Sequence, residues 1–236
     1  MIEATFQKTV VSMLKQKQEN LFQEWKETRK DESFVKDGIF CPETWLEQER
    51  KILFVLKEAN WEGANADLCR WLLDGGSSTC WKTWNNIARW AQALIGMEEY
   101  PEHISKEERI FWLGKIAFLN LKKTGGKAVA DSEMIRRYAV RDAELIRKQI
   151  LLCSPDLIVC CGKGKGKNAD LLYDVVLKED KKNERRTTVH GYLYFTVFLE
   201  TEIPVISFYH PQMRGGHALF RQRWTEIKEI GGQFLP

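Results

Sequence analysis

Four short runs in the 236-residue chain combine side chains able to bind or break polar bonds. They are Lys57-Glu58-Ala59-Asn60-Trp61, Asn120 followed by Lys122-Lys123-Thr124-Gly125-Gly126, Gly162-Lys163-Gly164-Lys165-Gly166-Lys167, and His210-Pro211-Gln212-Met213-Arg214. A carboxylate can stabilise a developing cation or orient water, and a correctly held neutral imidazole can donate to a departing anion. A carboxamide presents a donor and an acceptor together, which suits reading the edge of a base. The glycine–lysine run lacks the G-x-x-x-x-G-K-[ST] spacing of a nucleotide P-loop. Its amides and three lysines still suit a phosphate backbone, an alternative to a plain solvated loop.

The elements that must position these groups are legible as an alternation. Residues 51–57, 115–121, 156–161 and 204–209 are apolar runs bounded by charge or turn residues, as expected of strands buried on both faces. Between them lie helical patterns. One ends at Gly96 behind the cap-like Ser77, Ser78 and Thr79, a long one spans 132–152 from Ser132, and a short one spans about 169–177. A further helix is expected over 3–30 and a last one over about 217–230, and residues 189–199 alternate like an added antiparallel strand. Strands alternating with helices predict three α/β/α layers around a central, mostly parallel four-stranded sheet, in one domain over 1–236 with a helical extension at 1–45. The four chemical runs then fall just beyond the carboxyl ends of the four strands, where sites of open parallel sheets gather.

In this order the motifs resemble the uracil-DNA glycosylase superfamily over about residues 51–224. A glutamate motif follows the first strand, an asparagine ends the second, the strand Pro155-Asp156-Leu157-Ile158-Val159-Cys160-Cys161-Gly162 follows a long helix, and His210-Pro211-x-x-Arg214 follows the last strand. The resemblance implies a monofunctional DNA N-glycosylase that flips a deaminated or damaged base, uracil foremost, and hydrolyses its glycosidic bond in base excision repair. It implies that Glu58 orients water or stabilises the sugar cation and that His210 serves the leaving base. Asn120 would read the base, with Trp61, Ala59 and Asn60 lining its pocket. Met213 and Arg214, after Pro211, would wedge into the vacated stack. Lys57, Lys122, Lys123, Gly162, Lys163, Lys165 and Lys167 would meet phosphate.

The chain departs from the family pattern at Lys57, Asn60 and Trp61. Thr124 stands near the place of a cysteine that ligates an iron–sulfur cluster in the branch carrying Glu, so no cluster and no other cofactor is expected. The altered first motif leaves open a noncatalytic nucleic-acid- or nucleotide-binding member of the same fold, or hydrolysis of a free nucleoside or nucleotide.

Composition is permissive. With 44% hydrophobic and 29% charged residues the chain can bury a core, and a net charge of +3 allows DNA binding without arguing for it. No uncharged stretch exceeds the 13 residues of 187–199, short of the roughly 18 that a membrane span needs. Glu3 and Lys8 precede any apolar run, so no secretory signal is read, and a cytoplasmic monomer with DNA as partner is expected. The six cysteines form no C-x-x-C and no zinc-like spacing with histidine, and His190 and His217 read as structural.

Overall fold

The computed structural model describes residues 2–29, 33–63, 65–76, 81–127 and 129–235. The elements run α1 (Ile2–Glu27), β1 (Val35–Lys36), β2 (Gly38–Ile39), α2 (Pro42–Leu46), β3 (Ile52–Asn60), β4 (Ala66–Asp67), α3 (Leu68–Leu73), α4 (Trp81–Ile95) and α5 (Lys106–Leu113). They continue as β5 (Ala117–Gly126), α6 (Ser132–Arg141), α7 (Ala143–Cys153), β6 (Leu157–Cys161), α8 (Asn168–Leu171), β7 (Arg186–Thr187), β8 (Leu193–Leu199), β9 (Thr201–Phe208) and α9 (His217–Phe234). A π-helical turn, Leu172–Val176, prolongs α8.

One sheet dominates, in the order β2-β5-β3-β6-β9-β8-β7. Its four central strands, β5, β3, β6 and β9, are parallel. The edges are antiparallel: β2 on β5, and the β9–β8–β7 meander. Successive residues of β3 point to opposite faces, as the pleat requires. Leu53 and Val55 join Phe22, Trp25, Ile146 and Ile150 under α1 and α7, whereas Phe54 and Leu56 join Ile87, Trp90 and Ile227 under α4 and α9. Two buried clusters with the sheet between them make the three α/β/α layers.

The structure corrects four details of the sequence reading. The four parallel strands sit inside a seven-stranded sheet: β8 is the antiparallel strand expected from residues 189–199, and the two-residue strands β2 and β7, too short to leave a pattern, add at the edges. The extension at 1–45 is not purely helical, since it supplies β1 and β2 after α1. The long helix over 132–152 is broken at Asp142, whose carboxylate is buried and ion-paired with Arg29 of the extension. Finally, β3 and β5 run on to Asn60 and Gly126, past the charged residues that suggested their ends. The cap-like residues 77–79 lie outside the described residues. No helix among the described residues is long and apolar enough to cross a membrane.

Candidate functional site

In chain order the four parallel strands occupy positions two, one, three, four across the sheet, so the connections leave β3 and β6 in opposite directions. A crevice forms at such a switch point, beyond the carboxyl ends of the strands. Pairing of β3 with β6 ends at Val55 and Cys160. Just beyond, the buried amide of Asn168, the first residue of α8, donates to Val55 O at 3.1 Å and to Cys161 O at 2.8 Å.

His210 and Lys57 meet at this point. Gly162 lies between them with φ +103°, and a Cβ built on it would sit 3.9 Å from both His210 Cδ2 and Lys57 Cε. Glycine is therefore favoured by backbone conformation more than by space. The His210 loop is pinned: Asn86 Nδ2 on α4 donates to Pro211 O at 2.6 Å, and Met213 N–H donates to His210 O at 2.9 Å. Gln212 N–H donates to His210 Nδ1 at 3.1 Å. A neutral imidazole that accepts through Nδ1 must carry its proton on Nε2, so His210 is fixed as an Nε2–H donor. Burial, then the charge of Lys57, holds its pKa below the ordinary 6.5, which keeps it neutral at pH 7. Burial, then Lys167, also lowers Lys57, with Glu58 opposing.

The glutamate of the first motif is tied down. Glu58 pairs with Lys122 in the β3–β5 register, and the next pair is Ala59 with Gly125, so Lys123 and Thr124 are extra residues in a bulge. Lys122 Nζ lies 2.5 Å from Glu58 Oε2 and 2.9 Å from Gly125 O, and the two charged side chains are only 10% and 7% exposed. A Cβ on Gly126 would fall on the Glu58 carboxylate, and one on Gly125 would fall on Trp61 O. Two glycines thus let β5 close over the glutamate. The Glu58 carboxylate stands against an ammonium rather than free in water.

Asn120 and Lys123 are not brought to the crevice. Because β5 continues six residues beyond it, Asn120 lies within the strand and is 2% exposed. Asp37 accepts from Asn120 N at 2.7 Å and Nδ2 at 3.2 Å, from Lys123 Nζ at 2.6 Å and from Gln149 Nε2 at 2.8 Å. Burial lowers the Lys123 pKa, and Asp37 opposes that shift. Asp37 and Gln149 carried no signal in the sequence, since neither follows one of the four strands legible as apolar runs.

Of the remaining candidates, Ala59 is buried, Asn60 is exposed, and half-buried Trp61 packs edge-on against Trp71 with centroids 5.5 Å apart. Lys163, Lys165 and Arg214 are exposed, Met213 is half-buried, and Lys167 donates to Ser132 Oγ at 3.1 Å. Of these, Lys167 lies close enough to Lys57 to act on its charge and Lys163 lines a cavity with Tyr209, so Lys57, Lys163 and Lys167 make this end of the sheet cationic. Beside Lys122, an open cavity of about 330 Å³ is lined by Ser33, Thr124, Gly125, Met134 and Tyr138. On the opposite flank, Lys163 reaches Tyr209 and a polar cavity whose residues, apart from the lysine–glycine run, no motif announced. Among the described residues no group of three or more His, Cys, Asp or Glu could hold a metal ion. Of the five described free cysteines, Cys69, Cys153, Cys160 and Cys161 are buried, and burial pushes the Cys153 thiol up to about 12, so these four are packing groups rather than nucleophiles.

Fold and site together define an α/β protein with a mostly parallel sheet and a crevice at its switch point, at the cationic end of the sheet. Comparison with protein-family models, with curated proteins and with solved structures finds no match to any of them.

Proposed function

We propose that the protein is a DNA glycosylase-like enzyme that hydrolyses the N-glycosidic bond of a flipped, deaminated base, uracil foremost. The supporting observation is the tautomer and placement of His210, whose Nε2–H is a fixed neutral donor beside the Lys57 ammonium. A neutral N–H donor with an ammonium nearby suits a departing base on which negative charge develops. In that reaction the bond from sugar C1′ to the base nitrogen breaks with its electron pair going to the base. His210 and Lys57 hold the base oxygen, water adds to C1′, and its proton leaves to the base or to solvent. Glu58 would meet the sugar cation only as half of its pair with Lys122, so leaving-group stabilisation carries most of the rate. The cations at this end of the sheet supply the phosphate contacts.

The test uses end-labelled single- and double-stranded oligonucleotides carrying uracil, hypoxanthine or xanthine, with alkali to cut abasic sites. Alkali-labile product that falls about 10²–10³-fold in His210→Asn supports the reading, that being the usual cost of one such donor. Product unchanged in that variant overturns the role of His210. The Glu58–Lys122 pair favours a second reading, a noncatalytic nucleic-acid binder of the same architecture. Salt-sensitive DNA binding without abasic product selects it.

A further inference from the structure

The flank of the crevice formed by β6, β9 and α9 carries a cavity of about 260 Å³ that the proposed chemistry does not use. Its walls come from the run after Cys161, from residues leading into β8, and from α9. Lys163 Nζ donates to Tyr209 OH at 2.9 Å and stands 4.2 Å from the centre of that ring. The Arg223 guanidinium stands 4.0 Å from the same centre. Two cations therefore share one aromatic ring. Arg223 Nη1 is neutralised by Glu226, at 2.6 Å from each carboxylate oxygen, and the same glutamate accepts from Tyr192 OH at 2.5 Å and Gln222 Nε2 at 2.9 Å. That carboxylate is fully engaged. His190 is likewise taken by Glu229 at 2.7 Å.

What remains is Lys163, which has no acid beside it, and the part of the Arg223 guanidinium that its pair with Glu226 leaves unused. Among the described residues Lys163 has the Tyr209 phenol as its only hydrogen-bond partner and no ion-pair partner, and Arg223 Nη2 donates to no protein acceptor. Ser207 lines the same cavity. Burial pushes the Tyr209 phenol up, but the Lys163 hydrogen bond and the charges of Arg223 and Lys163 outweigh it, so the phenol lies below its ordinary value. The phenol thus senses a positive field. A site with one unpaired ammonium, a guanidinium shared with the Glu226 carboxylate, a serine and a phenol around a small polar volume still carries a net positive charge and suits a tetrahedral oxyanion.

We propose that this cavity is a phosphate site, which takes a phosphodiester of the bound strand on the flank of the crevice opposite the Lys122–Tyr138 cavity. The inference rests on the nucleic-acid reading above and deepens it. Ribbon spacing sets the scale, because β5 and β9 are three strand intervals apart, about 14 Å at the usual spacing. A strand spanning both flanks must therefore be several nucleotides long, and a mononucleotide reaches only one of them.

The experiment measures equilibrium binding of the full chain to labelled single-stranded oligonucleotides of increasing length, to thymidine monophosphate and to inorganic phosphate, over a range of salt. Lys163→Met retains the stem of the side chain and removes one cation from an exposed turn, and Lys163→Arg should restore it. For oligonucleotides the slope of log affinity against log salt should fall by about 0.7 in Lys163→Met, the release expected for one phosphate on a single strand. Ser207→Ala should weaken the same oligonucleotides. An unchanged slope and affinity in both variants overturns the proposal, as does a mononucleotide bound as tightly as a long strand. The two readings fail separately. Abasic product with a Lys163-independent slope removes the phosphate site alone, and a Lys163-dependent slope without abasic product removes the glycosylase alone.

Discussion

Replacing Lys122 by methionine tests whether the first-motif glutamate is as confined as its geometry indicates. The pair is 2.5 Å apart with side chains 10% and 7% exposed, and the carboxylate occupies the space a Cβ on Gly126 would need. At that separation the attraction is about 7 kcal/mol for an effective dielectric of about 20. Desolvation offsets much of it, so the measurable loss on removing one partner is about 3–5 kcal/mol, the cost of stranding a buried charge. For a chain of this length that lowers Tm by roughly 6–20 °C, at about 2–4 °C per kcal/mol. Thermal and urea unfolding of Lys122→Met, Glu58→Gln and the double variant would measure it. The double variant should recover most of the loss, because it leaves no unpaired charge behind. A Lys122→Met protein within about 1 kcal/mol of the parent, below the range for a buried pair, would refute the reasoning and return Glu58 to the crevice as a hydrated carboxylate.

Three further outcomes follow from the geometry of the crevice and of the closure over Glu58. The His210 pKa is depressed by burial and by Lys57, so its neutral form should persist below the ordinary 6.5, and Lys57→Met should move its titration upward in an NMR pH series. The unfolded chain binds that proton first as pH falls, so His210 removes stability below about pH 6.5, and His210→Asn should flatten that part of the stability curve. At the closure over Glu58, Gly125→Ala should destabilise more than Gly126→Ala. The first added methyl meets the backbone oxygen of Trp61 and the second meets a side chain. Overpacking of this kind costs about 1–3 kcal/mol, read from urea midpoints.

The layered α/β architecture was legible because β3, β5, β6 and β9 are continuous apolar runs and the helices between them are periodic. The placement of Gly162 beside His210 followed from the rule that strand ends converge. What misled was charge. Lys57, Glu58, Lys122 and Lys123 read as the ends of strands, yet the last three are neutralised by partners distant in sequence and the strands continue past them, through a bulge at Lys123. Asn120 was displaced from the crevice for the same reason: its partner, Asp37, is 83 residues away, and no local pattern announces such a pair. Tyr192, Ser207, Arg223 and Glu226 were silent too, since they are ordinary residues until β8, β9 and α9 are packed side by side.

Asn168 has a mechanical consequence. Its one amide bridges the carbonyls of Val55 in β3 and Cys161 at the end of β6, where the ladder between the two strands has stopped, so it works as a rivet at the fork of two diverging ribbons. The width of the fork is fixed by a covalent side chain of constant length rather than by solvent or by a ligand. Breathing of the crevice is therefore left to the turns that frame it, the glycine-punctuated 162–167 run and the 210–216 segment, while the floor stays rigid. Amide exchange should divide along that line, slow at Val55 and Cys161 and fast a few residues beyond.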